Sequence, residues 1–399
     1  MPRRIQQLAG TLVGLLLAAV AVVWMSGRAD DPRKPPAPVA AVSEFDGPLA
    51  LVWLQYASDA DPIVGTAQAD FLAALPPQTR IAVTVGDAPE SALFQRFLDK
   101  QALAESLRGR LQIVAVPGPV SPWTRDRALF LRNADRGLRF LVSPPPDAAW
   151  VRRSNDAKAV PLLAAALMPA KVLEIPLEFD GGDLALTSDA VLFGANLWAR
   201  NQGRGYASVR DLAVALQQWT GRPALGLGEN DGDVPPYHLA MYLAVTGMKQ
   251  ALVGDPGLAR AVTGPRWNTG EKSVEGDTAL LANDSTETQA QFDRAALDLQ
   301  RAGWQVQRIP VVAVDDRTYL TWTNVVAESG PAGKRVYLPV YAREGDRADA
   351  PVRKLDAAAT AIWQQQGFVV APIRVAGVWP HHGTIGCLVG VLGRGPADN

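Results

Sequence analysis

The 399-residue chain reads as an α/β protein, and three observations predict that class. Short apolar, β-branched runs recur along it. Stretches of helical period lie between several of those runs, and glycines stand where the helical stretches stop. In chain order the runs expected as strands are 49–54, 80–85, Leu111–Val116, 128–131, Leu138–Val142, 172–175, 190–193, 251–253, 304–309, 336–340, 368–373 and 387–392. Each is a short, mainly apolar run rich in Val, Ile, Leu or Phe, which suits a pleated, buried surface. Helices are expected over 66–74, 90–107, 208–220, 236–246, 286–302 and 354–366. Ser91 and Ser208 are suited to N-caps, and Gly221, Gly303 and Gly367 to C-terminal stops. Recurring β-rich units separated by helices hint at internal repetition.

Hydrophobic residues make up 48% of the chain and charged residues 20%, so it can bury a core and is not a disordered tail. A net charge of −1, with no long basic run beyond the N-terminus, argues against a nucleic-acid partner. One cysteine cannot form an internal disulfide. With only His238, His381 and His382 as imidazoles, no Cys/His metal spacing is present, and no metal is expected.

The first 29 residues are expected to be a signal anchor or a cleaved signal peptide. Arg3 and Arg4 precede an uncharged stretch whose apolar part, 8–25, approaches the ~30 Å hydrocarbon thickness at ~1.5 Å per residue. Positive charge ahead of it favours a cytoplasmic N-terminus, with the remainder exported and held at the inner membrane on the periplasmic side. Residues 30–44, rich in Pro and Ala, are expected to be a linker. Residues 45–395 then form one domain, with the membrane as a partner through the N-terminal segment alone.

The chemistry-bearing residues fall into four motifs. Trp123-Thr124-Arg125-Asp126 comes first, followed by Glu178-Phe179-Asp180-Gly181-Gly182-Asp183 and Pro236-Tyr237-His238-Leu239-Ala240-Met241. The last is the near-C-terminal run Trp379-Pro380-His381-His382-Gly383-Thr384-Ile385-Gly386-Cys387. A thiol, an imidazole and carboxylates from distant parts of a chain are what nucleophilic catalysis on a cationic carbon needs. Each also has a purely structural reading. A lone cysteine packs as a small apolar residue, and a histidine within a helical stretch is commonly structural. Asp126 could pair with Arg125 or Arg127, Asp180 and Asp183 could shape a turn, and His381 and His382 could belong to a solvated loop.

In this order the motifs resemble those of the agmatine deiminase and bacterial-type peptidylarginine deiminase family, part of the guanidine-modifying pentein superfamily. The runs 319–326 and 336–341, similar to the paired strands ahead of that family's cysteine loop, and 367–373, similar to the strand just before it, extend the resemblance over roughly residues 48–393. The resemblance implies a pentein-like five-bladed α/β propeller that needs no cofactor. It implies that a Cys387 thiolate attacks the carbon of a guanidinium, ammonia leaves, and water hydrolyses the thiouronium to a ureido product. His238 is then the acid/base, Asp126 a guanidinium-binding carboxylate, and Asp180 stands at the family's glutamate position. Trp123, Arg125, Asp126, Gly181, Gly182 and Asp183 would contact an agmatine-like, arginine-like or peptidyl guanidino substrate. A guanidinium is planar, always charged and weakly electrophilic, so paired carboxylates must hold and polarise it.

The chain departs from the family pattern at three places. The aspartate of the family's His-x-Asp is Ala240, the glutamate is the shorter Asp180, and His381 and His382 occupy part of the glycine run while Gly386 precedes the cysteine. Losing one of two charge-assisted partners around a desolvated cation costs about 2–5 kcal/mol. Ala240 therefore leaves a second reading open, that of a degenerate pentein serving as an extracytoplasmic binding module.

Overall fold

Four times the chain runs through the same order of elements: two antiparallel strands, then one or two helices, then a third strand parallel to the second. The units begin at strands Leu129–Asn133, Leu184–Leu186, Leu243–Gly247 and Val326–Gly330. A fifth unit is assembled from both ends of the chain. C-terminal strand Gly390–Arg394 pairs antiparallel with Leu49–Tyr56, which continues through helix Asp61–Ala74 to the parallel strands Arg80–Gly86 and Leu111–Val116. Parallel strands cannot be joined by a tight turn, so each parallel step needs a crossover, and the helical stretches of the sequence supply it. The described residues of the computed structural model are 39–133, 138–144, 151–167, 170–268 and 279–395. Among them the strands make five sheets of four, three, four, three and four strands.

Middle strands such as Val191–Gly194 are buried throughout. That explains why they read as continuous apolar runs instead of alternating ones. A buried polar knot fixes one loop of the site. Asp356, on helix Pro351–Gln365, accepts from Trp322 Nε1 (2.9 Å) and from the backbone of Tyr341 and Ala342, while Trp363 Nε1 donates to the Trp322 carbonyl (2.9 Å). These bonds satisfy polar groups that would otherwise be costly to bury, and they hold the Trp322–Asn324 segment in place.

Ser208 caps helix Val209–Thr220 through the Asp211 amide, and Gly221 ends it at φ 66°. Several expectations are corrected. Residues 236–246 are not a helix: 239–241 make one 3₁₀ turn, and Leu243–Gly247 is a strand paired with Gln250–Asp255. Burial of Ala244 and Val245, and their pairing with Leu252 and Ala251, override any local helical pattern. Ser91 is not an N-cap, because helix Asp87–Lys100 starts after Gly86 and takes Pro89 into its first turn. The rest of the expected helix is a separate turn, Ala104–Leu107. Cys387 lies in a single helical turn, Ile385–Leu388, and its strand begins only at Gly390. The linker expected over 30–44 ends in a strand, Val39–Ala41, which adds antiparallel to Leu129–Asn133. Helix Val151–Ala166, which carries Pro161, had no counterpart in the sequence reading.

The expected N-terminal membrane segment lies outside the described residues. Among the described residues, no helix is long and apolar enough to cross a membrane.

Candidate active site

Each of the five units is preceded by a turn that carries a polar or thiol side chain. Asp126 lies in turn Thr124–Arg127, Asp180 immediately before Gly181–Asp183, and His238 immediately before Leu239–Met241. Asn324 stands two residues ahead of strand Val326–Gly330, and Cys387 lies in turn Ile385–Leu388. The turns bearing Cys387, Asp126, Asp180 and His238 pack in series, so residues up to 261 positions apart meet in one place.

Asn324 Nδ2 donates to the Cys387 sulfur at 2.9 Å and lies 2.8 Å from the Met241 sulfur. His238 Nε2 lies 3.4 Å from Asp180 Oδ2. The Tyr237 ring stacks on the imidazole with centroids 4.0 Å apart and 12° between the planes, and the Arg317 guanidinium lies over the Tyr237 ring, 5.3 Å from its centroid. Cys387, His238 and Asp126 are all buried. Two glycines are set by close approach. A Cβ on Gly182 would stand 2.7 Å from His238 Nδ1. One on Gly383 would meet the Trp123 ring at 2.6 Å and Cys387 Cβ at 3.2 Å. Trp123 therefore borders the thiol across Gly383.

The guanidinium of Arg153 bridges the two acids. Its Nη1 donates to Asp126 Oδ2 at 2.8 Å and its Nη2 to Asp180 Oδ1 at 3.2 Å. Asp126 does not pair with its sequence neighbours Arg125 or Arg127 as a surface turn would. Arg125 instead spends its donors on Glu44 Oε1 (2.9 Å) and the carbonyls of Leu184 and Gly181, lining a separate cavity with Glu44 and Val389. Asp183 is bonded to Arg200 and to the Asp180 amide, closing a capping box around Gly181-Gly182. His382 Nδ1 bonds Thr318 Oγ1 at 2.9 Å.

Sequence reasoning assigned no role to Asn324 or Arg153. The signal for Asn324 was present, because it stands where the other units carry their candidate site side chains. Arg153 has no motif, and only the fold brings it to the acids. Asp180, Asp183 and His238 could offer one ligand atom each within 4.8 Å of one another to a cation. Arginines already pair with both carboxylates.

Burial raises the affinity of Asp126 for a proton, against the Arg153 charge that lowers it. Burial pushes Asp180 the same way, but the His238 hydrogen bond and the Arg153 charge outweigh it and hold this carboxyl below the usual range. For His238, burial favours the neutral ring, yet the bond to Asp180 and the influence of Cys387 outweigh it and raise its pKa well above 6.5.

The signs fix the pH windows. A raised His238 pKa contributes stability that is fully present below about pH 6.5 and fades as pH rises through the folded value. A lowered Asp180 pKa contributes stability present above about pH 4 and lost as pH falls through its folded value. Asp180→Asn is expected to lower the His238 midpoint, followed by proton NMR, because the hydrogen bond to Asp180 is the largest of the effects that raise it. An unchanged midpoint would mean that Asp180 does not hold that proton.

No protein-family model matches the chain, and no curated protein matches it. Solved structures do. C. jejuni agmatine deiminase aligns with a TM-score of 0.60 at 10% identity, covering 88% of this chain and 95% of that one. The agmatine deiminase of Enterococcus faecalis aligns with a TM-score of 0.57 at 13% identity, covering 88% and 95%. The chain therefore has the pentein-like α/β fold of the agmatine deiminases, the family that its motif order resembles.

Proposed function

We propose that this protein hydrolyses a guanidino C–N bond, with Cys387 as nucleophile and His238 as acid/base. The observation that carries the reading is the convergence of four turns from separate units on one thiol, one imidazole and two carboxylates. In the reaction the Cys387 sulfur bonds to the guanidinium carbon, and the C–N bond to an amino group breaks as His238 delivers its proton to the leaving ammonia. Water, deprotonated by the same imidazole, adds to the thiouronium carbon. The C–S bond breaks, leaving a ureido product and the free thiol. Asp126 and Asp180 bind and polarise the guanidinium, and Asn324 orients the sulfur. Asp126 Oδ1 and Asn324 Oδ1, both buried, have no hydrogen-bond partner among the described residues, which suits a ligand rich in N–H donors. That two neighbours are agmatine deiminases supports agmatine- or arginine-like small molecules, or arginine in peptides, as first candidates.

We further propose that the five sheets are the blades of a pentein propeller, a reading supported by the fifth unit's closure between the chain ends. The domain is proposed to lie on the periplasmic side of the inner membrane, as Arg3, Arg4 and the apolar run behind them suggest. Ala240 favours a second reading, a binding module for cationic ligands. Its carbonyl is taken by Thr323 Oγ1 at 3.0 Å, and it offers no carboxylate.

The test is ammonia and ureido-product release from agmatine, arginine, N-methylated arginine and arginine-containing peptides. Turnover of any of these supports the hydrolase. Binding by a well-folded protein without turnover selects the binding module.

A further inference from the structure

Helix Val151–Ala166 brings a cation to the place that the reading above reserves for a ligand's guanidinium. Its third residue, Arg153, lays one guanidinium nitrogen on Asp126 and the other on Asp180, at 2.8 and 3.2 Å. This two-carboxylate clasp is the one a substrate guanidinium would need.

The helix backbone is pinned. Asp156 accepts from the Ser121 amide (2.8 Å), Ser121 Oγ (2.6 Å) and Gln55 Nε2 (2.8 Å), all buried, and Asn155 Nδ2 donates to the Pro119 carbonyl at 2.9 Å. The Arg153 side chain is about one-fifth exposed, with 21% of its surface in solvent, so it can leave by rotating about its own bonds while the helix stays in place. Charge points the same way. Asp126, Asp180 and Asp183 face Arg153, Arg200 and the more distant Arg127, which stands 3.9 Å from Asp180. With Arg153 seated, these six side chains have no net negative charge to offer an incoming cation.

We propose that Arg153 is an internal occupant of the carboxylate cradle which a guanidinium ligand must displace, so that this residue sets the site's affinity for cationic ligands. The proposal rests on reading Asp126 and Asp180 as the guanidinium cradle. Occupancy of a site by its own side chain lowers apparent ligand affinity in proportion to the fraction of time it is seated.

Cys387, the only cysteine, reports on the cradle. Its alkylation rate by cationic 2-chloroacetamidine is compared with that by neutral 2-chloroacetamide in the wild-type protein, Arg153→Ala and Arg153→Gln. The expected result is a cation-to-neutral rate ratio that rises about tenfold or more in both variants. A wild-type ratio that is already high and unchanged in the variants would overturn the proposal while leaving the cradle reading intact. No cation preference in any of the three proteins would overturn the cradle reading and the proposal with it.

Removing Arg153 leaves two acids without their shared partner, so folding is followed in the same variants by thermal melting. Methylguanidinium is the probe, at on the order of 10 mM, with tetramethylammonium as the ionic-strength control. The variants' midpoints are expected to rise with methylguanidinium only, and the wild-type midpoint to stay constant. Equal responses in wild type and variants would count against Arg153 as the occupant.

Discussion

Cys387→Ser is expected to abolish product release from every guanidine the wild-type protein turns over, by about 10,000-fold or more, with the fold retained. The loss follows from chemistry more than from geometry. The serine hydroxyl is a far weaker nucleophile at neutral pH, and the buried turn Ile385–Leu388 would hold it where the sulfur was, against Asn324 Nδ2. The substitution is nearly isosteric, and the hydroxyl can accept the same hydrogen bond, so no buried donor is orphaned. Comparing circular dichroism and melting of the two proteins separates lost chemistry from lost structure. Residual activity within about tenfold of wild type would remove Cys387 from the reaction.

His238→Asn is expected to lower kcat by about 100- to 10,000-fold and to flatten the limb of the kcat–pH profile that His238 governs. The imidazole is placed to serve both halves of the reaction, because it lies against Asp180 within the cluster of turns that also holds Cys387. Its raised pKa keeps it protonated for the departing amine, and the neutral ring left behind can take a proton from water. Asparagine fills part of the space between Tyr237 and Gly182 but carries no exchangeable proton of suitable acidity. The second half of the reaction is thereby slowed, and a thiouronium on Cys387 should persist. An unchanged kcat would assign proton transfer to another group.

Much of this site was legible in the sequence because its chemistry uses scarce residue types. One cysteine and three histidines leave few choices, and Asp126 and Asp180 stand in motifs with a recognisable order. The α/β alternation was legible too, since parallel strands buried on both faces give unmistakable apolar runs. The repeat itself was only hinted at, because its units share an order of elements without sharing residues. Asn324 went unassigned, as an asparagine between strands is also an ordinary turn residue. The segment after His238 was misread as a helix, because what fixes it is pairing with Gln250–Asp255, a contact outside any local window. Arg153 could not have been found. It reaches Asp126 and Asp180 across 27 positions in each direction, from a helix that carries Pro161, and no local pattern encodes that meeting.

The most direct test of the central claim, that the Cys387 thiol attacks a guanidinium carbon, is the intact mass of the protein after acid quench. Wild type, His238→Asn and Cys387→Ser are each mixed with agmatine and with arginine, quenched and weighed, and the modified peptide is mapped. The account predicts an added mass equal to the guanidine less one ammonia, located on Cys387, most abundant in His238→Asn and absent from Cys387→Ser. Unmodified protein throughout, or the same adduct in Cys387→Ser, would contradict it.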